Sequence, residues 1–433
     1  MRKTGGVRTP HRKATSDSKG AQMTTPPEVI LPMDMHRGKP AKCLVSVGDY
    51  VKVGQKIGEA DGESSAHIHS SVSGTVKRID AVNPATGGAQ TRVVIESDGL
   101  QTFDETLAPP VVETLEQFLA AVKASGVVGL GGGAAPAGPK LTLRDPSKID
   151  YLIVNGAECE PYMTSDTRTM IDDSELLWDG VRAIKRFLGI KNIVLAIEKN
   201  KPEPIRIMRE YAAKEPIASV FVLPTLYPQG ARLTLVYKVT GRIVPEGKRP
   251  GDAGCVVINC STLASIMRYI KTGVPMVATR VTVDGSAVKN PQNVLVPLGA
   301  PIADVLEFCG GLKTDAAKII TGGPMMGKAV PDLSAPIVKS TGTLLALSEK
   351  EARLPEPSPC IMCGRCIANC PMKLMPVEIQ NAYLSGKTER LRALKPGMCV
   401  ECGCCSFTCP AGRPLTQYVK LAKTQLREKE ASR

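Results

Sequence analysis

Apolar positions along the chain change their spacing several times, and each change marks a different kind of structure. From residue 29 to about residue 96 they come in short β-type runs, CLVSV, TVKRI and RVVIE, cut repeatedly by glycine. Within this stretch VGDYVKVGQKIGEA alternates apolar and polar residues around Gly48, Gly54 and Gly58. That is the period-2 pattern of half-buried strands. From residue 113 the period lengthens. LEQFLAAVKA has helical spacing, IDYLIVNG is a short buried strand, and SELLWDGVRAIKRFLG puts Leu177, Val181, Ile184 and Leu188 on one helix face. The strand NIVLAIE, the helix PIRIMREYAA and the strand ASVFVLP follow, and CVVIN, ending at Asn259, supplies a fourth strand. Strands alternating with helices predict a doubly wound α/β layer. Ligands in such layers sit beyond the carboxyl ends of the strands, here residues 155–160, 199–200 and 227–230.

The flanking segments read differently. Residues 276–333 hold a DG turn between β-type runs and then the helix IADVLEFC, which fits a small ubiquitin-like β-grasp domain. LPEPSP, residues 354–359, is a proline-rich linker, and KLMPVEIQNAYLSGKTERLRAL beyond it is mostly helical. The N-terminal strands resemble the barrel-sandwich fold of biotinyl and lipoyl domains. Those domains carry a modified lysine at a hairpin tip, whereas residues 61–66 here read DGESSA. A lipoyl or biotinyl attachment is therefore not expected. His67 and His69 share a strand face and are read as a surface pair, because no third metal ligand lies nearby in sequence. The expected organisation is multidomain α/β. It runs as a basic arm (1–27), a barrel-sandwich domain (28–105), an α/β domain (110–272), a soluble-ligand-binding β-grasp domain (275–340) and a C-terminal domain (355–430).

Composition narrows the function classes. A hydrophobic fraction of 43% and a charged fraction of 22% belong to a folded protein. Aromatics are 4%, with Trp178 the single tryptophan, which argues against stacking many bases. The net charge of +13 sits largely at the ends, with +5 in residues 1–20 and +3 in residues 420–433. No basic stripe runs along a recognition helix, so nucleic acid is not the expected partner. An anionic membrane surface or an acidic partner suits the basic ends better. No stretch reaches the roughly 18 apolar residues of a membrane helix, and MRKTGGVRTPHRK lacks the apolar core of a signal peptide. A cytoplasmic location follows as the expectation.

Nine of the 14 cysteines fall in the last 74 residues, as CIMCGRCIANCP and CVECGCCSFTCP. Each copy is C-x2-C-x2-C-x3-C-P, the bacterial ferredoxin run. Three thiolates on one tight loop reach one cubane, while the fourth lies too far along and ligates the other. Cys360, Cys363, Cys366 and Cys409 are expected to hold one 4Fe–4S cluster, and Cys399, Cys402, Cys405 and Cys370 the second. The crossed C-x3-C-P ending favours iron–sulfur over zinc, and an α-helical two-cluster ferredoxin is the expected shape. Cys43, Cys159, Cys255, Cys260, Cys309 and Cys404 are read as buried small hydrophobes.

Two further segments carry candidate chemistry. GVVGLGGGAAPAGPKL, residues 126–141, fits the dinucleotide fingerprint loosely, but a helix precedes it and Pro136 and Pro139 follow. It is read as an irregular glycine loop whose amides line a phosphate or a planar ring, with Lys140 neutralising the phosphate. VNGAECEPYMTSD, residues 154–166, offers Asn155, Glu158 and Glu160 at a strand end, where amides and carboxylates hydrogen-bond a flavin, a ribose or a nicotinamide.

The segments TGGVRTPHRK, VGDYVKVGQKIGEA, HSSVSGTV, GVVGLGGG, NGAECEPYMTSD, YPQG, VTGRIVP and TGGPMMG, with both cysteine runs, resemble the C subunits of Rnf electron-transport complexes over nearly the whole chain. The chain is similar, more distantly, to the flavin-bearing NADH-oxidising subunit of respiratory complex I. The resemblance implies FMN in the glycine loop and acidic strand end, exchange with NAD(H), and two 4Fe–4S clusters. Those clusters would serve the membrane subunits of an ion-translocating complex, placing this chain peripherally on the cytoplasmic face. Carried over by position, Gly129, Gly131, Gly132 and Lys140 fall on the flavin loop, Asn155, Glu158 and Glu160 on the acidic segment, and Asn259 and Thr262 on a later flavin-contacting stretch. Two departures touch the dinucleotide side. Ala135 stands where the family has Phe, and Ala231, Arg232 and Leu233 stand where it has Gly-Glu-Lys. A cobalamin reductase of a microcompartment and a flavin-less iron–sulfur conduit are the competing readings.

Overall fold

The computed structural model describes residues 5–82, 90–143 and 145–431. In the N-terminal domain the strands Glu28–Pro32, Gln90–Ser97, Gly74–Val82 and Tyr50–Val51 pair antiparallel in that order. A second sheet joins Lys42–Cys43, Lys56–Glu59 and Ile68–His69. Val29, Leu31, Val51, Ile57, Ile68, Val76, Val93 and Ile95 are buried together, which is what strict alternation on short strands produces. Residues 61–66 form the turn between two strands of the second sheet. His67 and His69 are buried, not a surface pair. His67 Nδ1 accepts from the Ala60 amide at 3.1 Å, and burial lowers the pKa of both rings.

The N-terminal arm is bound into the fold and is not a free basic tail. Val7 and Tyr227 exchange backbone hydrogen bonds at 2.8 and 2.9 Å. Lys13 Nζ donates to the carbonyls of Glu158, Glu160 and Met163 at 2.9, 2.7 and 2.5 Å. Burial lowers its pKa to about 8. Ala21–Gln22 pairs parallel with Gln292–Pro297. Lys13 is thus committed to the chain's own carbonyls, whereas Arg8, Arg12 and Lys19 of the arm are exposed.

The α/β domain has four parallel strands, ordered Ser219–Leu223, Asn192–Glu198, Tyr151–Gly156 and Cys255–Asn259. In chain order this is third, second, first, fourth, so the winding reverses between the first and fourth strands. Helix Ser174–Leu188 buries Leu177, Trp178, Val181, Ile184 and Leu188, the face its periodicity predicts, and packs on helix Cys260–Thr272. Gly180 permits that approach, because a Cβ there would run into Leu263. The helix ends at Gly189 in the left-handed region, φ 63°.

The third sheet is built around Ala278–Asp284 and Gln292–Pro297. It also takes in Thr343–Leu347 and the arm strand Ala21–Gln22, both outside residues 275–340. Lys339 is fully buried where three domains meet. Its Nζ donates to His67 O in the barrel at 2.5 Å and to Gly126 O before the glycine loop at 2.7 Å. The C-terminal segment is helical, with Pro376–Leu384, Thr388–Leu394 and Leu415–Ala431 around Ile379, Leu391, Val419 and Ala422. Among the described residues no helix is long and apolar enough to cross a membrane.

Candidate functional site

The sheet's reversal point organises the first site. Asn155 and Asn259 are register partners at the carboxyl ends of the first and fourth strands, where doubly wound sheets open a crevice. Asn259 caps the helix that follows, its Oδ1 accepting the Thr262 amide at 3.1 Å. Thr262 Oγ1 in turn accepts the Leu130 amide at 2.9 Å, which holds the glycine loop over the helix start. The loop closes on itself through Gly129 N to Ala135 O at 2.8 Å and Ala134 N to Gly129 O at 3.0 Å. A Cβ on Gly131 would lie 3.3 Å from the Asn259 side chain, and Gly132 sits at φ 81°. Gly129, Gly131, Gly132, Asn155, Asn259 and Thr262 therefore converge. Asn155 Nδ2 donates to Gly230 O at 3.1 Å, bringing the YPQG loop to the same floor.

The acidic segment divides its carboxylates between other tasks. Glu158, at φ 45°, turns its side chain under the sheet edge. It accepts the Asp166 amide at 2.6 Å, the Thr167 amide at 3.3 Å and the Thr167 hydroxyl at 2.6 Å, capping helix Ser165–Asp172. Asp166 then accepts from Asn259 Nδ2 at 2.7 Å and Ser261 Oγ at 2.5 Å. Glu158 thus supports the floor through Asp166 and offers no free oxygen to a ligand. Glu160 accepts the Met325 amide at 3.0 Å, with the Tyr227 hydroxyl oxygen 3.3 Å away, and burial pushes its pKa up to about 7. With Lys13, Cys159, Glu198 and Tyr227 it lines an open cleft of about 380 Å³, one wall of which is the arm.

Lys140 lies on the one-turn helix Gly138–Leu141, directly after the glycine loop. Burial and the nearby charge of Arg232 lower its pKa to about 8. Burial and the charges of Arg37 and Arg249 lower that of Arg232. Lys140, Arg37 and Arg249 thus each lie within electrostatic range of Arg232, a place where a phosphate would be stabilised.

The two cysteine loops have matching backbones. Met362 and Glu401 are at φ 55° and 57°, Gly364 and Gly403 at φ 69° and 81°, and each glycine leads into a one-turn helix. Their amides turn toward sulfur, with Met362 N to Cys360 Sγ at 3.4 Å and Glu401 N to Cys399 Sγ at 3.3 Å. Cys370, from the first motif, joins Cys399, Cys402 and Cys405, from the second, around a single apolar cavity. Cys366 lies within electrostatic range of Cys409. Burial pushes the Cys399 thiol up to about 12. Cys404, outside the ligand pattern, is buried, and its hydrogen bond to Cys402 and burial keep it protonated. Cys43 and Cys159, read as buried, are only half-buried. Among the described residues no three His, Cys, Asp or Glu side chains converge as they would on a single metal ion.

Tyr227 joins the two sites. Its hydroxyl donates to Cys402 O at 2.7 Å, and its carbonyl accepts from Cys404 Sγ at 3.7 Å. Three residues on, Gly230 O holds Asn155. Asp166, Ser261, Tyr227 and Lys13 had no assigned role from sequence. Asp166, Tyr227 and Lys13 left a trace there, inside the NGAECEPYMTSD, YPQG and TGGVRTPHRK motifs, and Ser261 left none.

A glycine loop over a sheet reversal point, joined to a doubled cysteine module, defines an oxidoreductase subunit of the electron-transport class. Residues 122–268 match the Nuo51 FMN-binding domain, residues 1–100 the RnfC barrel sandwich hybrid domain, and residues 280–329 the SLBB domain. The chain is 38% identical over 381 residues to the C subunit of the Na(+)-translocating ferredoxin:NAD(+) oxidoreductase complex of Acetobacterium woodii, covering 87% of this chain and 86% of that one. It is 38% identical to the C subunit of the proton-translocating ferredoxin:NAD(+) oxidoreductase complex of Clostridium ljungdahlii, covering 86% and 82%. Against the C subunit of the ion-translocating oxidoreductase complex of Rhodobacter capsulatus it is 38% identical over 426 residues, covering 97% and 82%. The chain belongs to the family of ion-translocating oxidoreductase complex C subunits.

Proposed function

We propose that this chain is the peripheral electron-transfer subunit of a membrane-bound, ion-translocating NAD:ferredoxin oxidoreductase, moving electrons between NAD(H), FMN and two 4Fe–4S clusters. The observation that carries the reading is the single cavity whose lining brings Cys370, from the first motif, together with Cys399, Cys402 and Cys405, from the second, beside Cys404. Crossed ligation of this kind belongs to two-cluster ferredoxins. By the same logic Cys360, Cys363, Cys366 and Cys409 hold the other cluster. The residue set at the reversal point fits a flavin mononucleotide. Gly131 and Gly132 leave room for a close approach, Asn155 and Asn259 build the floor beneath them, and Lys140 with Arg232 presents charge for a phosphate. A flavin supplies the exchange between two-electron hydride chemistry and one-electron transfer.

The chain's own residues orient and insulate these groups. Thr262 fixes the glycine loop, Asp166 fixes Asn259, and Glu158 fixes Asp166. Tyr227 ties the flavin floor to the Cys402 loop, so the cluster held by Cys399, Cys402, Cys405 and Cys370 is the inner one. Other subunits of the complex carry the ion.

Anaerobic reconstitution tests the reading. About eight irons and eight sulfides per chain are expected from two cubanes. Cys409→Ser is expected to damage the cluster of Cys360 and spare that of Cys399, as read by electron paramagnetic resonance. Zinc in place of iron, or the opposite cluster damaged, would contradict it.

A further inference from the structure

The two cysteine runs align without a gap into the helices that follow them, so the copies correspond position by position. Cys405 answers to Cys366, Ser406 to Ile367 and Thr416 to Val377. A pair that is apolar in the first copy is a pair of hydroxyls in the second. Thr416 Oγ1 lies 3.3 Å from Cys405 Sγ and 2.9 Å from Ser406 Oγ. Thr416 also lines the cavity that Cys370, Cys399, Cys402 and Cys405 share. Its amide donates to Ser406 Oγ at 2.9 Å, which ties the start of helix Leu415–Ala431 to the cysteine loop. Backbone amides serve both copies alike, Met362 on Cys360 and Glu401 on Cys399. Among the described residues no side-chain hydroxyl bonds the sulfur of Cys360, Cys363, Cys366 or Cys409.

The hydrogens in this group have one consistent placement. A sulfur bound to iron is a thiolate and can only accept. The Thr416 hydroxyl therefore points its hydrogen at Cys405. Its oxygen is left to accept the Ser406 hydroxyl, and the Ser406 oxygen accepts the Thr416 amide.

We propose that Thr416, backed by Ser406, raises the reduction potential of the inner cluster by donating a hydrogen bond to its ligand Cys405. The inference rests on the cluster reading above. Reduction adds one electron to the cluster and its sulfurs, with no bond made or broken and no proton moved. Burial works against the added charge, and Cys370, Cys402 and Cys405 are buried where Cys360 and Cys363 are exposed. A donor on the sulfur works the other way, because its hydrogen bond strengthens as the sulfur gains charge. The Ser406 hydroxyl polarises that of Thr416 and strengthens it further. The cluster at Cys360 is open to water and has Ile367 and Val377 in the same two places. Thr416 is not a ligand; it acts through Cys405.

The test is a redox titration of the full chain with both clusters reconstituted, using dithionite with mediators and reading each cluster by electron paramagnetic resonance. Cys409→Ser identifies the signal of the cluster at Cys360. Thr416→Val is expected to lower the midpoint potential of the inner cluster and leave the other where it was. The expected size is about tenfold in the equilibrium constant for electron uptake, which is about 59 mV for one electron. Thr416→Ser keeps a hydroxyl and is expected to stay close to the wild type. Ser406→Ala is expected to move the potential the same way by a smaller amount. An unchanged potential in Thr416→Val with both signals present, or an equal fall in Thr416→Ser, overturns the proposal and leaves the cluster reading standing. Where Thr416→Val assembles no inner cluster, Ser406→Ala decides, and no shift there overturns the proposal. A fall confined to the cluster at Cys360, or a wild type that assembles fewer than two clusters, overturns the cluster reading itself.

Discussion

Three ionisable residues, two buried and one half-buried, show how single side chains build this molecule. Glu158 looks in sequence like a ligand-facing carboxylate, yet its oxygens accept three hydrogen bonds at the start of helix Ser165–Asp172. Glu158→Ala leaves those donors unmet beside Asp166, which holds Asn259. The expected cost is about 1–3 kcal/mol of stability, with FMN affinity falling as well, measured by thermal unfolding and flavin titration. Glu160, its neighbour by two, faces the cleft that the arm walls. Lys339 is the third. Burial lowers its pKa to about 7, while an unfolded lysine keeps its proton to about 10.5. Between these values the unfolded state binds more protons, so Lys339 makes stability rise with pH from about 7 to about 10.5. The neutral amine still has two N–H groups for its two carbonyl partners. Lys339→Met is expected to flatten this rise and to cost about 1–3 kcal/mol near pH 9, where the carbonyls of His67 and Gly126 lose their donor. Melting temperatures of both proteins at pH 6.5 and 9 check it, and equal slopes would rule it out.

Elements explain what the sequence made legible. Helix Ser174–Leu188 and strand Asn192–Glu198 fall where the apolar spacing puts them, because the helix buries one continuous face and the strand is a short apolar run buried on both. The doubled cysteine loops were legible for a different reason, since ligand spacing is a local property. The arm was not legible: Val7, Lys13 and Ala21–Gln22 are fixed by partners more than 100 residues away, and polar short-range composition carries no trace of them. The inward turn of Glu158 was hidden likewise, since a positive φ at a non-glycine residue comes from the fold around it. The glycine loop carries a testable consequence. Ala135 cannot stack a nicotinamide or adenine ring as Phe would, and Arg232 adds a cation beside Lys140. One lost stack and one lost polar contact weaken dinucleotide binding by roughly 1–3 kcal/mol, about five- to a hundredfold. Ala135→Phe combined with Arg232→Glu is expected to tighten NADH binding by that factor in a fluorescence titration. Unchanged binding would show that these positions do not face the dinucleotide.

At the scale of the molecule, the domains are stitched by few, buried contacts. Lys339 joins barrel, α/β and β-grasp domains, and Tyr227 joins the crevice floor to the Cys402 loop. The proposed route runs from the reversal-point crevice past Tyr227 to the buried thiols, and outward to the exposed ones. The barrel and β-grasp domains hold this geometry from the side. The most direct measurement is anaerobic addition of NADH to the full chain, reconstituted with FMN and both clusters and followed by electron paramagnetic resonance. Two reduced-cluster signals are expected when FMN is present and none when it is left out. Clusters that NADH fails to reduce in the presence of FMN, or reduces equally well without it, would contradict the account.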